Sequence, residues 1–125
     1  MNHAAVHTYL LSKPEAQEDF PFGPDVRVLK IGGKMFATLA RDSDGHGRMN
    51  LKCDPDEAVM LRDIFPAVLP GYHMNKRHWN TVVLDGSMPR GEIERMIDNS
   101  YSLVVAGLPA RQRQALHIRY GKERL

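Results

Sequence analysis

The sequence predicts an α+β fold, a two-layer sandwich in which a mostly antiparallel sheet carries helices packed on one face. Three observations point there. Residues 26–31 and 34–40 flank Gly32-Gly33, a pair suited to the positive φ angles of a tight hairpin turn. RMNLKC alternates apolar and polar residues after the Gly-rich turn DSDGHG, which adds a third strand. Finally, Ile93, Met96, Ile97, Tyr101, Val104, Val105 and Leu108 recur at 3.6-residue spacing after Ser87-Met88-Pro89, the clearest helix of the chain.

The remaining elements follow in order. Val6, Tyr9 and Leu10 sit at helical spacing within residues 2–12, and Lys13-Pro14 stops that helix. EAQEDFPFGPD, broken by Pro21, Gly23 and Pro24, reads as an irregular connection whose Phe20 and Phe22 tuck against the core. With Ile31 paired to Lys34, Val26, Val28, Met35, Ala37 and Leu39 are assigned to the core face, with Lys30 at its end. Arg27, Leu29, Lys34, Phe36 and Thr38 are assigned to the open face. In the next strand Met49, Leu51 and Cys53 point inward, while Arg48, Asn50 and Lys52 point outward.

Asp54-Pro55-Asp56-Glu57 is a helix start: Asp54 caps, Pro55 suits the first turn and Glu57 is placed to complete a capping box. Ala58, Leu61, Ile64 and Phe65 form its predicted buried stripe, ended by Pro66. VLPGYHMNKRHWNTVVLDG then reads as a second pair of strands, or as one strand after a structured loop. Gly107 and Pro109 stop the long helix, and ARQRQALHIRYGKERL is a weaker helix with a basic tail.

At 125 residues and 42% hydrophobic, the chain is expected to form one domain over 1–125, with a real core that needs no disulfide or structural metal. Cys53 is the single cysteine, so neither a disulfide scaffold nor a Cys-rich zinc module is available. The N-terminal residues lack a signal-peptide pattern and no apolar run is long enough to span a bilayer. A cytoplasmic protein without membrane contact is expected. The formal net charge of +2 is unevenly spread, with +4 in residues 111–125 and −2 in residues 1–110. A polyanion would therefore have to be met by a local patch.

The densest concentration of functional side chains is residues 71–80, where Tyr72, His73, Asn75, Lys76, Arg77, His78 and Trp79 fall together. Lys and Arg suit phosphate, the aromatics suit stacking, and Asn75 or Asn80 suit base edges. These residues equally suit a rim of packed aromatics and a hydrogen-bonded loop. No nucleophile elbow, Walker loop or dinucleotide fingerprint occurs, and His73 and His78 lack the HExxH spacing that puts two ligands on one helical face. A non-enzymatic protein without cofactor or metal is expected.

FPFG (20–23), VLKIGGKMFA (28–37), LKCDPDEAVMLR (51–62), PGYHMNKRHWNTVVLDG (70–86) and SYSLVV (100–105) together resemble the MmcQ/YjbR family of small bacterial proteins. The resemblance spans nearly the whole chain. It implies a fold similar to that of the bacterial frataxin homologue CyaY, and a DNA-binding role. The family's motif residues fall here on Pro21, Phe22, Gly23, Lys30, Lys34, Phe36, Lys52, Asp54, Pro55 and Tyr72 through Trp79. The expected interface with DNA is then Arg27, Lys34, Phe36, Arg48 and Lys52 on the open sheet face, joined by His73, Asn75, Lys76, Arg77, His78 and Trp79. The alternative is a protein-interaction module, or one that binds a small anionic ligand in a pocket formed by Tyr72, His73, Lys76 and Trp79.

Overall fold

The computed structural model describes residues 1–125. In chain order the elements are α1 (His3–Leu11), β1 (Gln17–Asp19), β2 (Arg27–Ile31), β3 (Lys34–Arg41), β4 (Gly47–Lys52), α2 (Pro55–Ile64), β5 (Val68–Pro70), β6 (Trp79–Leu84), α3 (Arg90–Ala106) and α4 (Ala110–Tyr120), with a final 3₁₀ turn at Lys122–Arg124. The six strands form one antiparallel sheet in the order β1-β2-β3-β4-β6-β5. The expected two-layer α+β architecture is therefore the one observed. No helix is long and apolar enough to cross a membrane.

One face of the sheet is covered. Val6 and Leu10 of α1, Ala58 and Leu61 of α2, the α3 stripe from Ile93 to Val105, and Leu116 of α4 join Leu29, Ala37, Leu39, Met49, Leu51 and Val82 in a cluster of 25 buried residues. At about 25 cal/mol per Å² of apolar surface removed from water, this layer dominates the stability of the fold. Asp54 caps α2 as expected, its Oδ2 accepting from the Glu57 amide at 3.3 Å. Glu57 closes no capping box, because its carboxylate instead accepts from Arg95 of α3 at 2.8 Å.

The hairpin departs from the predicted faces. Ile31 does pair with Lys34, but the register shifts between Leu29 and Lys30, so that Leu29 opposes Ala37 while Lys30 opposes Met35. Phe36 is the extra residue of a β-bulge, and one extra residue reverses the phase of everything beyond it. Leu29, Ile31, Phe36, Ala37 and Leu39 consequently all reach the covered face. Phe36 is fully buried and meets Tyr101 edge to face, with ring centroids 5.3 Å apart. Ser100 of α3 fills the irregular site: its hydroxyl donates to the Phe36 carbonyl at 2.6 Å and accepts from the Lys52 amide at 2.9 Å. Val28 and Lys30 thereby turn to the uncovered face, where Lys30 Nζ pairs with Asp19 at 2.9 Å.

Three further expectations change. Gln17–Asp19, read as irregular, is an edge strand paired with β2. Phe20 and Phe22 do not tuck into the core; they are 42% and 68% exposed. Ile64 is also exposed, since α2 turns it away from the sheet and leaves Ala58, Leu61 and the flanking Phe65 to make the contact.

Candidate functional site

The face left uncovered by helices holds a groove of about 720 Å³, within the usual range for small-molecule sites. Its floor comes from alternate residues of three neighbouring strands. Thr38 pairs with Asn50 and Asn50 with Thr81, while Ala40 pairs with Arg48. Cross-strand partners share a face, so these side chains form one surface. Phe22 and Val26 border it on the β2 side, and Tyr72 and His73 on the β6 side. From β2 to β6 is three strand spacings, about 14 Å.

The Tyr72 rim is tied to the floor. The Thr81 hydroxyl accepts from the Tyr72 amide at 2.8 Å and donates to Asn50 Oδ1 at 2.5 Å, and Asn50 Nδ2 donates to the Tyr72 carbonyl at 3.3 Å. His73 has φ 57°, in the left-handed region that costs most side chains free energy. Its ring lies 4.1 Å from that of Tyr72, centroid to centroid. Gly71 precedes them because there is no room for more: a Cβ there would come 2.8 Å from both the Cβ and the carbonyl oxygen of Trp79.

At the β3–β4 turn, Arg48 Nε donates to Asp42 Oδ2 at 3.2 Å. Asp42 Oδ1 accepts from the amides of Asp44 and His46, both at 3.0 Å. Desolvation works against its ionisation, but these hydrogen bonds and the Arg48 charge outweigh it and hold the carboxyl below the ordinary aspartate range. Asp42, Asp44 and His46 each bring one donor atom within 4.8 Å of the others. Both oxygens of Asp42 are already engaged by the turn's own hydrogen bonds.

The residues expected to form one interface separate. Arg48 and Lys52 lie on the uncovered face, Lys52 opposite Trp79. Phe36 is in the core. Arg27 pairs with Leu39 and so belongs to the covered face, where Glu18 Oε1 lies 2.8 Å from its Nη1 and 2.7 Å from His7 Nε2. Lys34 shares the face of Ile31 and projects at the turn, away from the groove. The bulge is the physical reason for all three departures. Of the loop, only Tyr72 and His73 line the groove. Asn75 Oδ1 accepts from the Arg77 amide at 2.9 Å, the His78 carbonyl accepts from the Cys53 amide at 2.8 Å, and Lys76 Nζ donates to the Gly71 carbonyl at 3.3 Å. Arg62 of α2 clamps this turn, its Nη1 donating to the Lys76 carbonyl and to Asn80 Oδ1. Asn80 is buried and donates to the Ala58 carbonyl, so no base edge is within its reach. The Arg77 side chain is exposed.

Sequence reasoning missed Thr38, Asp42 and Thr81 as groove residues and assigned Phe22 to packing. Thr38 and Thr81 did carry a signal, since each is a lone hydroxyl inside an apolar strand. The Cys53 thiol is raised to about 11, by burial first and then by the Glu57 and Asp54 carboxylates, so it stays protonated at neutral pH.

Fold and groove together define a small α+β domain with a one-sided antiparallel sheet and a lined cleft on its bare face. The chain belongs to the YjbR family, whose model matches residues 11–103. It is 37% identical over 112 residues to the uncharacterised protein YbdF of Escherichia coli O157:H7, covering 90% of this chain and 91% of that one. To the uncharacterised protein YjbR of Escherichia coli K12 it is 33% identical over 108 residues, covering 86% and 91%. Among solved structures, Deinococcus radiodurans protein DR2400, with a DUF419 domain, superimposes with a TM-score of 0.83 at 33% identity, over 92% of this chain and 87% of that one. A Pseudomonas syringae protein superimposes with a TM-score of 0.73 at 31% identity, over 82% and 98%.

Proposed function

We propose that this protein is a binding module for a small ligand, and that the groove on the uncovered sheet face is its site. The observation that carries this is convergence. The FPFG and GYH segments, some fifty residues apart in sequence, border one cleft from opposite sides of the sheet. Both present a large aromatic that folding leaves mostly exposed, Phe22 at 68% and Tyr72 at 60%. Large exposed aromatics around a concave polar floor are costly to hydrate and serve recognition rather than packing. A thermal-shift screen of metabolites and anions tests the reading: a ligand at 100 times its Kd adds about 2.7 kcal/mol of stability. The Phe22→Ala variant is expected to lose that gain while melting as the parent does. A gain retained in the variant places the ligand elsewhere.

DNA binding is the second reading, favoured by one feature. The side chains of Lys52 and Arg77 enter no ion pair, in contrast to Arg27 and Lys30, which are neutralised by Glu18 and Asp19. Uncommitted cations are what phosphate contacts need. On this reading duplex affinity falls steeply with salt, and Lys76→Ala combined with Arg77→Ala weakens binding whatever the sequence. A fluorescence-anisotropy titration that stays flat at micromolar protein in low salt removes it.

A further inference from the structure

We propose that the ligand of the groove is a small aromatic anion, its carboxylate or phosphate held by Arg48 and its ring seated between Phe22 and Tyr72. This rests on the groove being a ligand site, and it names the chemistry of the occupant.

The charge of the lining sets the sign. Arg41 and Arg48 border the groove against a single carboxylate, that of Asp42. Asp42 has little to offer a cation, because Oδ1 takes two backbone amides, Oδ2 takes Arg48 Nε, and the Arg48 charge already balances its own. A cationic ligand would meet two guanidinium groups and a single carboxylate already paired with one of them. For an anion the same arrangement is favourable. Asp42 holds Arg48 by Nε alone and restrains the guanidinium, while its two terminal nitrogens make no bond within the protein. A planar fork held in advance loses less entropy on meeting the matching pair of oxygens in a carboxylate or phosphate.

The rest of the lining sets the shape. Val26 and Ala40 add apolar surface beside Phe22, and Tyr72 is backed by the His73 ring. Asn50 and Thr81 spend their polar atoms on each other and on the Tyr72 backbone, so the centre of the floor leaves chiefly the Thr38 hydroxyl for a ligand to meet. A flat ring with one polar atom at its edge for Thr38 covers such a floor without stranding a polar group.

The test titrates ¹⁵N-labelled full-length protein with two matched pairs, indole-3-acetate against indole-3-acetamide and AMP against adenosine. The expected result is that amide shifts centre on Thr38, Asn50, Tyr72 and Thr81, with the anion of a pair binding at least roughly tenfold tighter than its neutral partner. The pair that shows the larger ratio tells carboxylate from phosphate. Arg48→Gln is expected to abolish the ratio and leave the neutral affinities in place. Arg48→Lys, which keeps the charge without the fork, should retain part of the ratio, and the amide dispersion of both variants reports that they are folded. Equal binding of anion and neutral partner overturns the anion assignment, and a ratio that survives in Arg48→Gln overturns the role of Arg48; either result leaves the groove a ligand site. No shift in the groove with any of the four probes at millimolar concentration overturns both.

Discussion

The two faces of the sheet treat similar residue types in opposite ways. On the covered face Phe36 and Tyr101 disappear into an edge-to-face pair, and the cations at the margin are neutralised, Arg27 by Glu18 and Lys13 by Asp98. On the bare face Phe22 and Tyr72 stay in contact with water, and Arg48 is held by one nitrogen with the others unused. An aromatic or an arginine therefore says little by its identity. What it does depends on whether a helix lies above its strand.

The sharpest way to break this comparison is to remove an aromatic from each face. Phe36→Ala should cost about 3–5 kcal/mol, the range for emptying a fully buried phenylalanine site, read from chemical denaturation. Were Phe36 on the open face, as simple alternation has it, the loss would stay within about 0.5 kcal/mol, as for an ordinary surface site. Ser100→Ala comes next. It leaves the Phe36 carbonyl and the Lys52 amide without their buried partner, at about 1–3 kcal/mol each at most, and should loosen the bulge as seen in faster amide exchange at Lys52. Gly71→Ala is expected to cost about 1–3 kcal/mol, because the new methyl meets backbone and Cβ atoms of Trp79 that a strand cannot easily move. Phe22→Ala should change stability by less than about 0.5 kcal/mol while removing ligand binding, the reverse of the Phe36 outcome.

The smallest effect expected is set by pH. Because the folded protein holds the Asp42 carboxyl below its ordinary value, the contribution of that group is complete above the ordinary aspartate range and is lost as pH falls through the depressed value. Acidification should release the Asp42–Arg48 pair and shift the amides of Asp44 and His46 before the sheet melts, which a pH titration by NMR would follow. Simultaneous loss of these signals with global unfolding would mean that the turn has no separate transition.

Much of the architecture was legible in local pattern. The Asp54 cap, the Gly32-Gly33 turn with its Ile31–Lys34 pair, and every member of the α3 stripe stand where spacing placed them. The site was legible only in part. Tyr72 and His73 line the groove, and Arg48 lies on the face that alternation assigns it. Arg27, Lys34 and Phe36 were misplaced together by a single cause. A bulge changes the count of residues between two pairs by one, and no residue type in VLKIGGKMFATLA marks where the extra one falls.

By itself the sequence determined what near neighbours can enforce: the helices, the three central strands β2, β3 and β4, and that one apolar stripe per helix must find a sheet, but not the short edge strand Gln17–Asp19. Caps, turns and 3.6- or 2-residue periods act over a few residues and need nothing else. Only the tertiary structure decided which aromatic is core and which borders the groove, and which arginine is spent and which retains unused donors. Those outcomes rest on contacts between residues far apart in the chain, Ser100 with Phe36, Tyr72 with Asn50 and Thr81, Phe22 across the sheet from His73, and such contacts exist only once the sheet has closed its register.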